Sequence, residues 1–181
     1  FLRTDSWQQG DREMQITFEN FLKKNSSLIE EVTVPYNVPK ILDLQRNVQF
    51  HDIAANYGPL VDKDEENFSL KLREVIAEGR KVSSAQYEAA CSDREPMYQS
   101  FLPIFSNYDA IITPAAPGVA PKGLSSTGSP IFNFFWTYLG CPTVSLPLLE
   151  TSGLPLGVQL IGARNAVSYT HLRAHETLRY L

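Results

Sequence analysis

Three groups of side chains in this sequence have types and spacings that could do chemistry. The first is Lys122 followed by Ser125 and Ser126, inside the run Gly123-Leu124-Ser125-Ser126-Thr127-Gly128. A serine hydroxyl becomes a useful nucleophile only when a nearby base takes its proton. Here the run lies in a segment of turn-forming residues, which reads as ordinary loop, and a loop lysine is normally a solvated charge. The second group is His171, His175 and Glu176, with the four-residue helical spacing of a metal-binding histidine pair but no third ligand in view. The third pairs Cys91 or Cys141 with His51, a thiol–imidazole combination that needs an activating neighbour, and none is evident in the sequence.

The elements that would position such groups change character along the chain. The first half is helical in pattern. Met14, Phe18, Phe21 and Leu22 share one face of a helix that Asp11 is placed to cap. Glu31 to Val34 is a short β-branched run ended by Pro35, hence a strand. A helix from Val38 to about Asn56, carrying Ile41, Leu42, Leu44, Val48 and Ile53, is expected to stop at Tyr57-Gly58-Pro59. Asp64 to Gly79 reads as one amphipathic helix with Gly79 as its C-terminal cap. Ser83 or Ser84 starts a long helix that runs to about Phe105 and contains Pro96.

From Tyr108 the pattern becomes that of strands. Ala110-Ile111-Ile112 is a compact apolar strand, followed by a Pro-, Gly- and Ser-rich loop from Ala115 to Ser129. Ile131 to Leu139 is an apolar helix ended by Gly140. Two further strands, Thr143 to Leu148 and Leu156 to Ile161, are joined by Thr151-Ser152-Gly153-Leu154-Pro155. The expected class is α/β, part of a mixed β-sheet flanked by helices.

Acidic and basic residues are interleaved around a net charge of -4, so no basic stripe offers a surface for direct nucleic-acid binding. The longest apolar stretch, Pro130 to Leu139, is far shorter than the roughly 20 residues of a membrane helix, so no membrane span is expected. The first residues lack the pattern of a secretory leader, and the start without Met fits a chain that begins mid-gene. Two cysteines in unrelated contexts read as free thiols in a reducing, cytoplasmic compartment.

Four segments, in order and at their spacing, resemble the C-terminal region of the amidase-signature family. They are Tyr108-Asp109-Ala110-Ile111-Ile112-Thr113-Pro114-Ala115-Ala116-Pro117, Phe132 through Pro142, Val144-Ser145-Leu146-Pro147, and Gly153 through Gly162. The stretch Glu30 to Pro35 is similar to a strand that family members carry, and the resemblance extends over residues 1–165. It implies an incomplete amidase-signature α/β/α fold and a parent enzyme that hydrolyses carboxamide C–N bonds. That chemistry uses a serine nucleophile, a second serine in a cis peptide and a lysine base, with an oxyanion hole stabilising the tetrahedral intermediate. In the family those residues lie in a Gly-Ser-Ser-Gly-rich segment and further upstream, neither of which is found here. The expectation is therefore no catalytic residue in this chain and an inactive fragment.

By the same resemblance this region supplies part of the wall of the acyl pocket, with Phe132, Asn133, Trp136 and Thr137 as the substrate-binding candidates. Aromatics at helical spacing are also what a core helix shows. The implied partner is a small-molecule amide, with no metal and no organic cofactor, and a homodimer of the full-length parent is compatible with the reading. The A subunit of an aminoacyl-tRNA amidotransferase is the alternative. That branch usually carries an acidic residue near Ser129-Pro130, which this sequence lacks. A non-catalytic interaction domain is the rival of another class. Residues 166–181 contain Val167 to Thr177, which is similar to a translated sequencing adapter, so this tail is expected to be non-native read-through and the zinc reading of His171 and His175 falls with it.

Overall fold

The computed structural model describes residues 1–33 and 38–165. The helices are α1 (Arg12–Lys24), α2 (Val38–Val61), α3 (Leu70–Gly79), α4 (Ser84–Asn107) and α5 (Phe134–Leu139). The strands are β1 (Ile111–Pro114), β2 (Thr143–Thr151) and β3 (Leu154–Ile161). They form one sheet in the order β1-β3-β2, and both pairings are antiparallel. The parallel pairing among the described residues is the bridge between Leu2 and Val32. Leu2 also donates its N–H to the Ile112 carbonyl at 3.1 Å, extending hydrogen bonding past β1. Val34 and Pro35 of the expected early strand, and the whole tail from residue 166, fall outside the described residues.

Strand alternation sends neighbouring side chains to opposite faces of the sheet. Ile111 and Ile161, paired across the sheet, join Phe101 of α4 and Phe135, Trp136 and Leu139 of α5 in one core cluster. Val158 and Leu156 turn the other way and meet Met14 and Phe18 of α1. The result is helix–sheet–helix layering, an α/β architecture. A third, smaller cluster holds α2 and α3 together through Ala54, Val61 and Ile76.

Several helix boundaries differ from the sequence expectation. Asp11 occupies the N-cap position of α1, but its side chain caps nothing; its backbone N–H instead donates to the Pro117 carbonyl at 2.7 Å. Helix α2 continues through Gly58 and Pro59 to Val61. Pro59 falls in the last turn, where a proline forfeits a single helical bond, and buried Val61 anchors that turn against Ile76. The expected single helix from Asp64 to Gly79 is divided, because the Ser69 hydroxyl accepts from the Leu72 N–H and starts α3 afresh. Gly79 is the last residue of α3 rather than a cap beyond it. A Cβ there would lie 2.0 Å from the Phe50 carbonyl oxygen, so glycine is what lets α2 and α3 touch.

Ser83 does cap α4, forming a reciprocal capping box with Gln86. Gly140 ends α5 in the left-handed conformation, φ 68°.

Candidate functional site

The residues expected to face substrate sit on or just before α5, and the structure separates them by direction. Trp136 and Phe132 are buried in two different core clusters, Trp136 edge-on to Phe101 and Phe135. Asn133 joins a polar chain. The Thr113 hydroxyl donates to Gln159 Oε1 at 3.2 Å, Gln159 Nε2 donates to Asn133 Oδ1 at 2.7 Å, and Asn133 Nδ2 donates to the Ala115 carbonyl at 3.2 Å. Thr113 and Gln159 are buried, so these bonds satisfy polar atoms that water cannot reach. The chain ties β1, β3, the start of α5 and the first residue after β1 into one unit.

Thr137 turns outward and lines a cavity of about 300 Å³ between α2 and α5 with Gln45, Gln49, Asp52, Arg94 and Tyr138. A neighbouring cavity of about 310 Å³ shares Gln45 and Gln49 and is closed by Phe50, Ile131 and Phe134. Together they make a groove whose lining is mainly apolar, with Gln45 and Gln49 common to both parts. The Arg94 guanidinium lies over the Tyr138 ring, 5.5 Å from its centroid, and the Arg94 Nε is buried with no hydrogen-bond partner. Sequence reasoning missed Arg94, Gln45 and Gln49, because their meeting with Thr137 depends on α2 and α4 packing beside α5, a contact no local pattern announces.

Arg164 fixes the far end of α5. Its Nε donates to the Leu139 carbonyl at 2.6 Å, its backbone N–H donates to the Tyr98 hydroxyl at 3.0 Å, and its guanidinium stacks 3.9 Å from the Tyr98 ring centroid. An ion pair to Glu95 completes the clasp and, after the Gln99 amide, holds the Glu95 carboxyl below its usual range.

The other chemistry-bearing groups are placed as follows. Ser125 and Ser126 are exposed, and the Ser126 hydroxyl accepts from the Gly128 N–H at 3.1 Å as a loop bond. His51 stacks on Tyr87 with centroids 4.0 Å apart. The Tyr87 hydroxyl bonds first to Asp52 and then to Cys91, which pushes its pKa up to about 12. Burial pushes the Cys141 thiol up to about 12, so it stays protonated near neutrality and is no nucleophile. Among the described residues no three His, Cys, Asp or Glu side chains are grouped to hold a metal; His171 and His175 lie outside them. No described helix is long and apolar enough to cross a membrane.

Comparison with known proteins agrees with this arrangement. The family described as Amidase matches residues 1–166. The A subunit of glutamyl-tRNA(Gln) amidotransferase from Streptococcus agalactiae serotype Ia is 29% identical over 186 residues, covering 86% of this chain and 38% of that protein. A crystal structure of an amidase superposes with a TM-score of 0.81 at 21% identity, over 93% of this chain and 42% of that one. A bacterial aryl acylamidase of the amidase signature family gives 0.65 at 18% identity, over 87% of this chain and 38% of that one. The structural likenesses establish the fold, and the chain spans well under half the length of these relatives. A family match running from residue 1 to residue 166, on a sheet and helix arrangement shared with solved amidases, means that the chain belongs to the Amidase family.

Proposed function

We propose that this chain is the C-terminal part of an amidase that hydrolyses small-molecule carboxamides in the cytoplasm, with its serine nucleophile, cis serine and lysine base supplied by a part of the protein upstream of residue 1. The carrying observation is the family match over residues 1–166 in a chain that covers 38% of a full-length relative. The role left to this part is to wall the acyl side of the site. Thr137, with Arg94 and the two glutamines of α2, offers polar contacts in the groove, and Phe134 and Ile131 offer apolar ones. Asn133 holds the start of α5 in place through Gln159 and Ala115. Trp136 and Phe132 support that helix from beneath. Residues 166–181 are proposed to be non-native, which the sequence of the intact gene tests directly.

The test of the function is to recover that gene and assay its product on acetamide, benzamide and an anilide for released ammonia or amine. Turnover by the full-length protein, abolished by serine-to-alanine substitution in its Gly-Ser-Ser-Gly segment, is expected. The 181-residue chain alone should release none, and hydrolysis by it would overturn the assignment of catalysis to the upstream part.

A second reading, the A subunit of an amidotransferase, is favoured by the identity of the Streptococcus relative. It requires glutamine as the amide and partner chains for transfer to tRNA. A parent that hydrolyses glutamine in preference to simple amides would select it, whereas the lack of an acid at Ser129-Pro130 favours the general amidase.

A further inference from the structure

Between β1 and α5 the chain makes one long connection, and residues 120–130 of it are exposed without interruption. Among the described residues, no backbone group from Gly118 to Ser129 bonds to another backbone group. The bond from the Gly128 N–H to the Ser126 hydroxyl ties two loop residues to each other and not to the body of the protein. Gly123 sits at φ 91° with open space where a Cβ would be, and Leu124 beside it is fully exposed. Lys122 comes immediately before this glycine.

Most other basic residues among the described ones lie inside α1 to α4. The exposed lysines between helices sit in bonded turns. Around Lys63, the N–H groups of Asp62, Lys63 and Asp64 bond back to Gly58, Leu60 and Val61. At Lys81 the N–H donates to the Glu78 carbonyl at 3.1 Å and the ammonium pairs with the Glu78 carboxylate. A protease acts on chain that has left its helix or turn, so such sites wait on local opening. The segment around Lys122 has no backbone ladder to open, which is the property of loop tips that are nicked first.

The contacts that join the two sides of this loop do not pass through it. No residue from 120 to 130 belongs to any of the three core clusters. β1 pairs with β3 over four residues, and Asn133 and Gln159 reach back to Ala115 and Thr113. Arg164 grips Tyr98 and Glu95. Phe101 packs edge-on against Phe135 and Trp136, while Met14 and Phe18 meet Leu156 and Val158 on the other face of the sheet.

We infer that the Lys122–Gly123 bond is a processing site for a protease that cuts after a basic residue, and that the product is a two-chain protein with the fold of the uncut one. Water adds across the peptide bond, leaving a carboxylate on Lys122 and an ammonium group on Gly123. Both lie in solvent, so neither new charge is buried. Pro121 and Thr127, on either side of the cut, line a cavity of about 580 Å³ against the sheet. Processing therefore severs one wall of that cavity and leaves the α2–α5 groove whole. The inference does not depend on the amidase reading.

Brief trypsin treatment of the native 181-residue chain, read by mass spectrometry and gel filtration, tests it. Within residues 1–165 the first cut should fall after Lys122. The two pieces should elute together at the volume of the intact chain and part only in urea. Lys122→Gln should slow the splitting of residues 1–165 at least about tenfold, because every remaining site waits on the opening of an element. Ser125→Lys added to that variant returns a basic residue to the loop and should restore cutting. A first cut at Lys63 or Lys81, an unchanged rate in Lys122→Gln, or pieces that separate without denaturant would each overturn the inference.

Discussion

At the residue scale the polar chain through Gln159 shows how a few atoms hold a site wall. Its amide is used at both ends, accepting from Thr113 and donating to Asn133. Gln159→Leu keeps the bulk and strands the buried Thr113 hydroxyl, while the half-buried Asn133 amide can still reach water; leaving one buried group unsatisfied costs about 1–3 kcal/mol. Urea unfolding should show a loss in that range, and a change under about 0.5 kcal/mol would mean water replaces the bonds. Cys141 gives a check on burial. Its thiol pKa lies far above the usual 9.0, with a solvent exposure of 8%. Iodoacetamide at about pH 8 should spare Cys141 in the folded chain and label it in urea. Because its folded pKa is raised, the thiol's contribution to stability is complete below pH 9 and is lost as pH rises from 9 toward 12.

At the element scale, much of the structure was legible; the Ser69 cap that divides the segment from Asp64 to Gly79 is a local signal passed over, and other failures come from packing. The helix over Met14 and Phe18, the Ser83 start of α4, the strand at Ile111-Ile112 and the β2–β3 hairpin all follow from local periodicity and turn chemistry. The misread boundaries at Pro59 and Gly79 are places where packing between α2 and α3 overrides local propensity. Thr137 was named as a substrate-binding candidate on the helix that is α5, but the residues lining the groove with it, Arg94 and Gln45, come from helices distant in sequence. Gly79→Ala separates the two influences. Helix propensity alone predicts a gain of up to about 1 kcal/mol. The new methyl would meet the Phe50 carbonyl, a backbone atom that cannot rotate away, so overpacking of about 1–3 kcal/mol should prevail. A lower thermal midpoint is expected; a higher one would show that α2 and α3 part without penalty.

At the scale of the whole molecule, the sheet joins segments of very different separation. The β1–β3 pairing of Ile111 with Ile161 encloses α5, the long loop and all of β2, whereas β2 and β3 are adjacent in the chain. The turn between them places Ser152 and Gly153 both at positive φ, 53° and 75°, the geometry that matches the natural twist of paired strands. That geometry sets an order of events in time. A hairpin of this kind closes in about 1–10 μs, while the longer loop waits on chain entropy. The hairpin is therefore expected to form first and β1 to dock onto its edge afterwards. Gly153→Val should slow refolding and leave the unfolding rate nearly unchanged in stopped-flow measurements, because the strain it introduces is already present when the barrier is crossed.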